Sequence, residues 1–250
     1  MSGSLNEQEF VCVDCEMTGL DFEHDRIIEV ACCRFNGREI LEEYETLINP
    51  EKIISNDSIR IHHITNEMVA GKPLIKDVLP EILRFIGRSP LVGHGIGFDI
   101  EMIDRAAKRE GMSCVITNNT VIDTLRLARL YGESLINSLK ELAKHFNIEA
   151  EGAHRAMNDV VMNVKVFRHL AKKFKTVDEL LKVLSHPIKM RTMPLGKHKG
   201  RSFRDIPLNY LQWASNKDFD EDLLFSIRSE LKRRKMGGLF SQASNPFKDL

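Results

Sequence analysis

The sequence predicts an α/β fold, a mixed five-stranded sheet flanked by helices with a small C-terminal appendage. Three apolar, β-branched-rich segments come first, strand-like and helix-like segments then alternate, and the composition changes after Ser185. Phe10 to Glu16, Ile27 to Phe35 and Ile40 to Ile48 read as strands, and Asn36-Gly37 between the last two is a hairpin signal. After a polar stretch, Ile75 to Ile86 has helical spacing and stops at Gly87, with Ser89-Pro90 beyond it. Leu91 and Val92 form a short buried strand that runs through Gly93, Gly95 and Gly97 into a helix from about Phe98 to Glu110. Thr120 to Ile122 reads as a strand feeding a helix that Asp123 or Thr124 caps. Further helices fit Ser138 to Phe146, about Arg155 to Phe174, and Thr176 to Leu184.

At 250 residues the chain has room for a main domain, placed at 8–184, a small basic module at 185–235 and a flexible tail at 236–250. Between His186 and Arg204 stand Lys189, Arg191, Lys197, Lys199, Arg201 and Arg204 with no acidic residue. Yet lysine plus arginine and aspartate plus glutamate both number 36, so the molecule as a whole has no field that draws in a polyanion. Affinity for one must come from local patches or bound metal. Four of the five cysteines, Cys12, Cys15, Cys32 and Cys33, fall in apolar runs, which with Cys114 suits a reducing cytoplasm better than a disulfide framework. Cys12 and Cys15 form a lone C-x-x-C whose members would point to opposite faces of a strand, a poor zinc site. The N-terminal stretch has no basic-then-apolar leader, and no apolar run approaches the ~18 residues of a membrane span.

The most informative segment is FVCVDCEMTGLD, residues 10–21, where a hydrophobic strand carries Asp14 and Glu16 two residues apart. Strand period two puts both on one face, and ionised carboxylates that close repel unless a cation or donors neutralise them. Hard oxygen ligands at this spacing fit magnesium or manganese; a polar strand end with solvated acids is the alternative. Asp99 follows a buried strand and a glycine loop in the first turn of a helix, where it is either a ligand or an acid favoured by the helix dipole. His154 and Asp159, five residues apart, stand about 140° apart on one helix. They can share a metal only if His154 lies in the loop before the helix that carries Asp159, and Gly152 supports that placement. Seen alone, such a pair is more often a surface coincidence.

Taken in this order and with these neighbours, Asp14 and Glu16, Asp99, then His154 and Asp159 resemble the three motifs of the DEDDh exonucleases, whose fold is ribonuclease H-like. The likeness spans about Phe10 to Lys175. IRIHHITNEMV and VIDTLRLARLY are similar to segments of the epsilon-like proofreading group of bacterial DNA polymerase III and its stand-alone relatives, with His63 where that group usually has glycine. EMTGLD resembles oligoribonuclease instead. The resemblance implies a metal-dependent 3′→5′ exonuclease acting most readily on DNA in proofreading or repair, with two divalent ions, Mg2+ or Mn2+. Asp14 would bridge the two ions, Glu16 and Asp159 would hold the one carrying the attacking water, Asp99 would support the other, and His154 would be the general base. Met17, Thr18, Gly19 and Leu20 would contact the terminal nucleotide, and His62 lines the same pocket or merely packs a helix. Asp123 reads as a cap rather than a ligand. Implied partners are a single-stranded or frayed DNA 3′ end, with RNA an alternative, and the DNA polymerase III alpha subunit and sliding clamp. The competing readings are an oligoribonuclease-like or RNA-trimming exoribonuclease, and a scaffold or binding subunit of a polymerase assembly.

The basic module, MPLGKHKGRSFRDIPLNYLQWA, resembles a short module found at the ends of some exonuclease-like proteins. Lys197, Lys199 and Arg201, with Phe203, Tyr210 and Trp213 nearby, suit a single strand held by phosphate contact and stacking. The alternative is a small helical domain with Trp213 and Leu211 in its core. In the tail, Gln242, Ser244 and Phe247 resemble a variant of the clamp-binding peptide of epsilon-like proteins, against the alternative of an inert extension.

Overall fold

The computed structural model describes residues 4–134, 136–149 and 155–243, with side chains as far as 236. Two compact units divide it, 1–183 and 184–250. In the first, β1 (Phe10–Met17), β2 (Ile27–Phe35) and β3 (Ile40–Leu47) form an antiparallel meander. After α1 (Asn56–His62), α2 (Asn66–Val69) and α3 (Ile75–Ile86), the short β4 (Leu91–Gly93) pairs parallel to β1. Next come α4 (Gly97–Arg109), β5 (Val121–Asp123), α5 (Thr124–Tyr131), α6 (Leu139–His145), α7 (Ala156–Ala171) and α8 (Val177–Leu184). The sheet order is β3-β2-β1-β4-β5, a mixed sheet with β1 at its centre.

Strand alternation sorts β1 into two faces. Val11, Val13, Cys15 and Met17 join a core with Leu79, Ile82 and Ile86 of α3 and Met102, Ile103 and Ala106 of α4. The even positions face α7, where Phe10, Phe35 and Phe167 meet with ring centroids 5.2–5.6 Å apart. One turn nearer the N-terminus of α7, Asn163 Nδ2 donates to Cys12 Sγ at 3.5 Å. α7 therefore runs antiparallel to β1, with aromatic packing at one end and the acids of β1 at the other.

The polar stretch left unassigned in the sequence holds α1 and α2. A helix of seven residues is too short to show its period, although Ser55 Oγ caps it by accepting from Ser58 N–H at 3.1 Å. Its end is His63, at φ 61° in the left-handed region. That conformation costs a residue with a β-carbon about 1–2 kcal/mol, held here by the buried Ile64 and Ile54 beside it.

In the second unit, α9 (Leu208–Ala214) and α10 (Glu221–Ala243) close over Met193, Phe203, Ile206, Leu211, Leu223 and Ile227. Arg234 Nη2 donates to the carbonyls of Phe203, Arg204 and Ile206 at 2.9–3.0 Å, binding the loop to α10. α10 continues through Gly237 and Gly238, where the sequence reading begins a flexible tail. Among the described residues no helix is long and apolar enough to cross a membrane.

Phe167 joins α7 to both central strands, so Phe167→Ala is expected to lower unfolding free energy by about 3–5 kcal/mol in denaturant titration.

Candidate active site

Four acids reach one region from three elements. Asp14 and Glu16 lie on the α7 face of β1, and Asp159 stands in the first turn of α7. One oxygen from each of the three lies within 4.8 Å of the others. Asp99 comes from the first turn of α4 and stands outside this triplet. Its place follows from the sheet: β4 ends at Gly93, so the Cys15 N–H, between the two β1 acids, has no strand to pair with on that side. Asp99 Oδ1 accepts it at 3.0 Å. The glycine loop makes the crossing possible, since Gly95 is left-handed at φ 75° and donates its N–H to Asp123 Oδ1 at 2.9 Å. Asp123 also accepts from Leu125 N–H at 2.8 Å, so it caps α5.

Electrostatically the cluster is frustrated. Burial, then Asp99, Glu16 and Asp159, push the Asp14 carboxyl well above its usual range. Glu16 is raised to about 7 by burial and by Asp159, Glu29 and Asp99, with Arg155 opposing. Asp99 is also raised to about 7, chiefly by burial, although the Cys15 amide works against the shift. A set of hard carboxylate oxygens this close, desolvated and mutually repelling, fits a divalent cation such as Mg2+ or Mn2+.

Sequence reasoning missed one member of the region, Glu29, which lies directly across from Glu16 in the β1–β2 register. It is 0% exposed, and its carboxylate accepts from Arg155 Nε and Nη2 at 3.0 and 2.6 Å and from Ala156 N–H at 3.0 Å. A glutamate inside the otherwise apolar run IIEVACCRF was the available signal.

The segment after β1 closes the same end of the sheet. Thr18 is buried, its hydroxyl donating to Asp25 Oδ1 at 2.7 Å, and its carbonyl accepts from Ser58 Oγ at 2.7 Å. A β-carbon on Gly19 would stand 2.4 Å from Asp25 Oδ2, so a larger residue there would displace the Asp25 carboxylate that Thr18 and Lys52 hold. Met17 is buried, whereas Leu20 is 82% exposed, an apolar side chain free to meet a ligand. His62 is 2% exposed; its Nδ1 accepts from Ile64 N–H at 3.0 Å, so Nε2 carries the proton, and Nε2 has no hydrogen-bond partner among the described residues. Burial lowers its pKa, with Glu29 opposing, which keeps the ring neutral and a donor.

In the second unit, Lys197 and Lys199 are exposed. Arg201 instead holds its own loop, donating from Nη2 to Asp205 O at 2.7 Å. Leu211 is core, but Trp213 is 51% exposed, 5.2 Å from the Tyr210 ring and with Lys217 Nζ 5.0 Å from its centroid. His154, Ser244 and Phe247 lie outside the described residues, as does the side chain of Gln242.

Comparison with known proteins now bears on this geometry. The RNase_T family profile, described as "Exonuclease", matches residues 11–167, and a second profile, "Putative quorum-sensing-regulated virulence factor", matches 181–239. The chain is 37% identical over 169 residues to the DNA polymerase III subunit epsilon of Aquifex aeolicus, covering 67% of this chain and 82% of that one. It is 35% identical over 184 residues to the PolC-type DNA polymerase III of Caldanaerobacter subterraneus, covering 71% of this chain but 13% of that much longer protein. Among solved structures, Exonuclease X in complex with 5′ overhanging duplex DNA aligns with a TM-score of 0.56 at 25% identity, over 70% of this chain and 98% of that one. E. coli ExoI bound to single-stranded DNA, at 20% identity, shares the fold with a TM-score of 0.62 over 71% of this chain and 43% of its own. The sheet order, the acidic cluster at the end of β1 and these likenesses agree: the chain belongs to the RNase_T exonuclease family and is a nuclease hydrolase of the epsilon type.

Proposed function

We propose that this exonuclease removes nucleotides from the 3′ end of single-stranded or frayed DNA, with two divalent cations, Mg2+ or Mn2+, at the acidic cluster. The observation that carries the reading is the triplet of Asp14, Glu16 and Asp159 oxygens within 4.8 Å, with Asp99 docked on the strand between the first two. Bound there, two cations would stabilise the charge that grows on the attacking and leaving oxygens of a phosphodiester. In this reading Asp14, Glu16 and Asp159 would hold the cations with support from Asp99, and the cations would activate the attacking water and neutralise the leaving oxygen. His154 would accept the proton of that water. Leu20 would wedge against the terminal base, backbone at Met17 to Gly19 would meet its sugar, and the His62 Nε2–H would donate to the same nucleotide. DNA and a polymerase III assembly are favoured over RNA by the names of the relatives.

Lys197, Lys199 and Trp213 are proposed to bind single-stranded nucleic acid by phosphate contact and stacking, Arg201 being spent on its own loop. Stacking on an exposed aromatic is worth about 1–3 kcal/mol per base, so Trp213→Ala should raise KM for long single strands about fivefold or more while kcat holds. Equal KM values for the variant and the parent exclude this contact.

The central test is digestion of a 5′-labelled single-stranded oligonucleotide with Mn2+, in DNA and RNA versions. Laddering from the 3′ end of DNA is expected, and binding without digestion or digestion of short RNA alone contradicts the reading. His154→Ala should slow the reaction roughly 10² to 10⁴-fold.

Asp14→Asn should abolish hydrolysis yet stabilise the metal-free protein. Carboxyls whose folded pKa is raised bind protons more tightly in the fold, so metal-free stability falls as pH climbs from the ordinary 4.5 of a glutamate towards the 7 of Glu16 and is lowest above it. At pH 8 the variant should melt at least about 2 °C higher than the parent, what ~1 kcal/mol is worth in a chain of this size. A lower melting temperature would show that the acids do not repel as described.

A further inference from the structure

We propose that Glu29 and Arg155 form a positioning clamp that presents Asp159 to Asp14 and Glu16, a role resting on the reading of that triplet as a cation site. Glu29 is a buried acid beside the cluster, yet it is absent from the three whose oxygens converge. Both of its oxygens are engaged: Oε1 accepts from Arg155 Nε at 3.0 Å and Nη2 at 2.6 Å, while Oε2 accepts from Arg155 Nε at 3.2 Å and Ala156 N–H at 3.0 Å. A bidentate guanidinium pair of this kind has fixed geometry, and a buried carboxylate is tolerated only when so satisfied. Glu45 on β3 stands 3.8 Å from the same guanidinium and steadies it from a second strand.

The clamp acts at a point from which Asp159 can be aimed. Glu29 opposes Glu16 in the β1–β2 register, and Ala31 opposes Asp14, so Glu29 shares the sheet face of the two β1 acids. Arg155 precedes Asp159 by four residues, about one helical turn, and Asp159 N–H donates to Arg155 O at 3.1 Å. Glu29 thus ties the foot of that turn to the strand pair bearing the other two ligands. It also takes the first orphan amide of α7, and the guanidinium offsets a negative charge that would otherwise add to Glu16. The apolar contacts of Phe167 fix the far end of α7, Asn163 ties its middle to Cys12 of β1, and the clamp ties its first residue to β2.

The test uses the full chain and Mn2+ alone, followed by calorimetric or paramagnetic titration in the absence of DNA. Glu29→Gln, which keeps an acceptor for Ala156 but loses the ion pair, should weaken Mn2+ binding about tenfold or more, the usual scale for groups that orient metal ligands. It should lower kcat at fixed metal while KM for the oligonucleotide stays within about twofold, and raised Mn2+ should restore part of the rate. Arg155→Lys, with one donor in place of a fork, should fall between the parent and Glu29→Gln. In an Asp159→Asn background, Glu29→Gln should weaken binding by less than about twofold further, because the ligand it aims is already impaired. Parent-like Mn2+ affinity in both Glu29→Gln and Arg155→Lys, or losses that multiply in full with Asp159→Asn, would overturn the clamp. Failure of the parent itself to bind Mn2+ would instead overturn the reading of the acidic triplet, a separate outcome.

Discussion

Mutual repulsion among Asp14, Glu16, Asp99 and Asp159 is the force that the first unit has to contain, and the packing of α7 on the sheet is what contains it. Phe10, Phe35 and Phe167 anchor one end of that contact in a close aromatic trio. At the other end the same helix delivers an acid to a place where two are already present. Apolar burial and aromatic contact supply the free energy; the acids draw on it. Such frustration is typical of a site whose charge balance is completed by something other than protein.

Backbone satisfaction organises the rest of the cluster. Because β4 stops at Gly93, the Cys15 amide needs an acceptor, and Asp99 supplies it while arriving beside Asp14. At the neighbouring strand, Glu29 answers the first amide of α7 and the Arg155 guanidinium together. In both cases a polar group at the end of a regular element is met by a carboxylate, so the geometry of the acids is set by the hydrogen-bonding needs of the sheet and helix ends.

The second unit uses the same residue types differently. Arg201 and Arg234, alike in sequence to any surface arginine, are consumed in holding loop carbonyls, whereas Lys197 and Lys199 remain exposed. Trp213 departs from the core that its neighbour Leu211 enters, because the two fall on different sides of a seven-residue helix. The composition of this stretch announces a basic module; which of its charges face solvent is decided by packing.

Strand alternation placed Asp14 and Glu16 on one face from sequence alone, and the glycine loop before Asp99 and the capping role of Asp123 were equally readable, since each depends on residues within a few positions of one another. The five strands and the longer helices of the first unit were legible for the same reason, while α1 and α2 were too short to carry a period and α10, the longest helix described, was not assigned from sequence. Only the tertiary structure could decide that Asp159 reaches the two β1 acids, that Asp99 takes the Cys15 amide, and that Glu29, hidden in an apolar strand, is paired across more than a hundred residues with Arg155. These are contacts fixed by register and by the rotation of packed helices, and neither is encoded in local spacing.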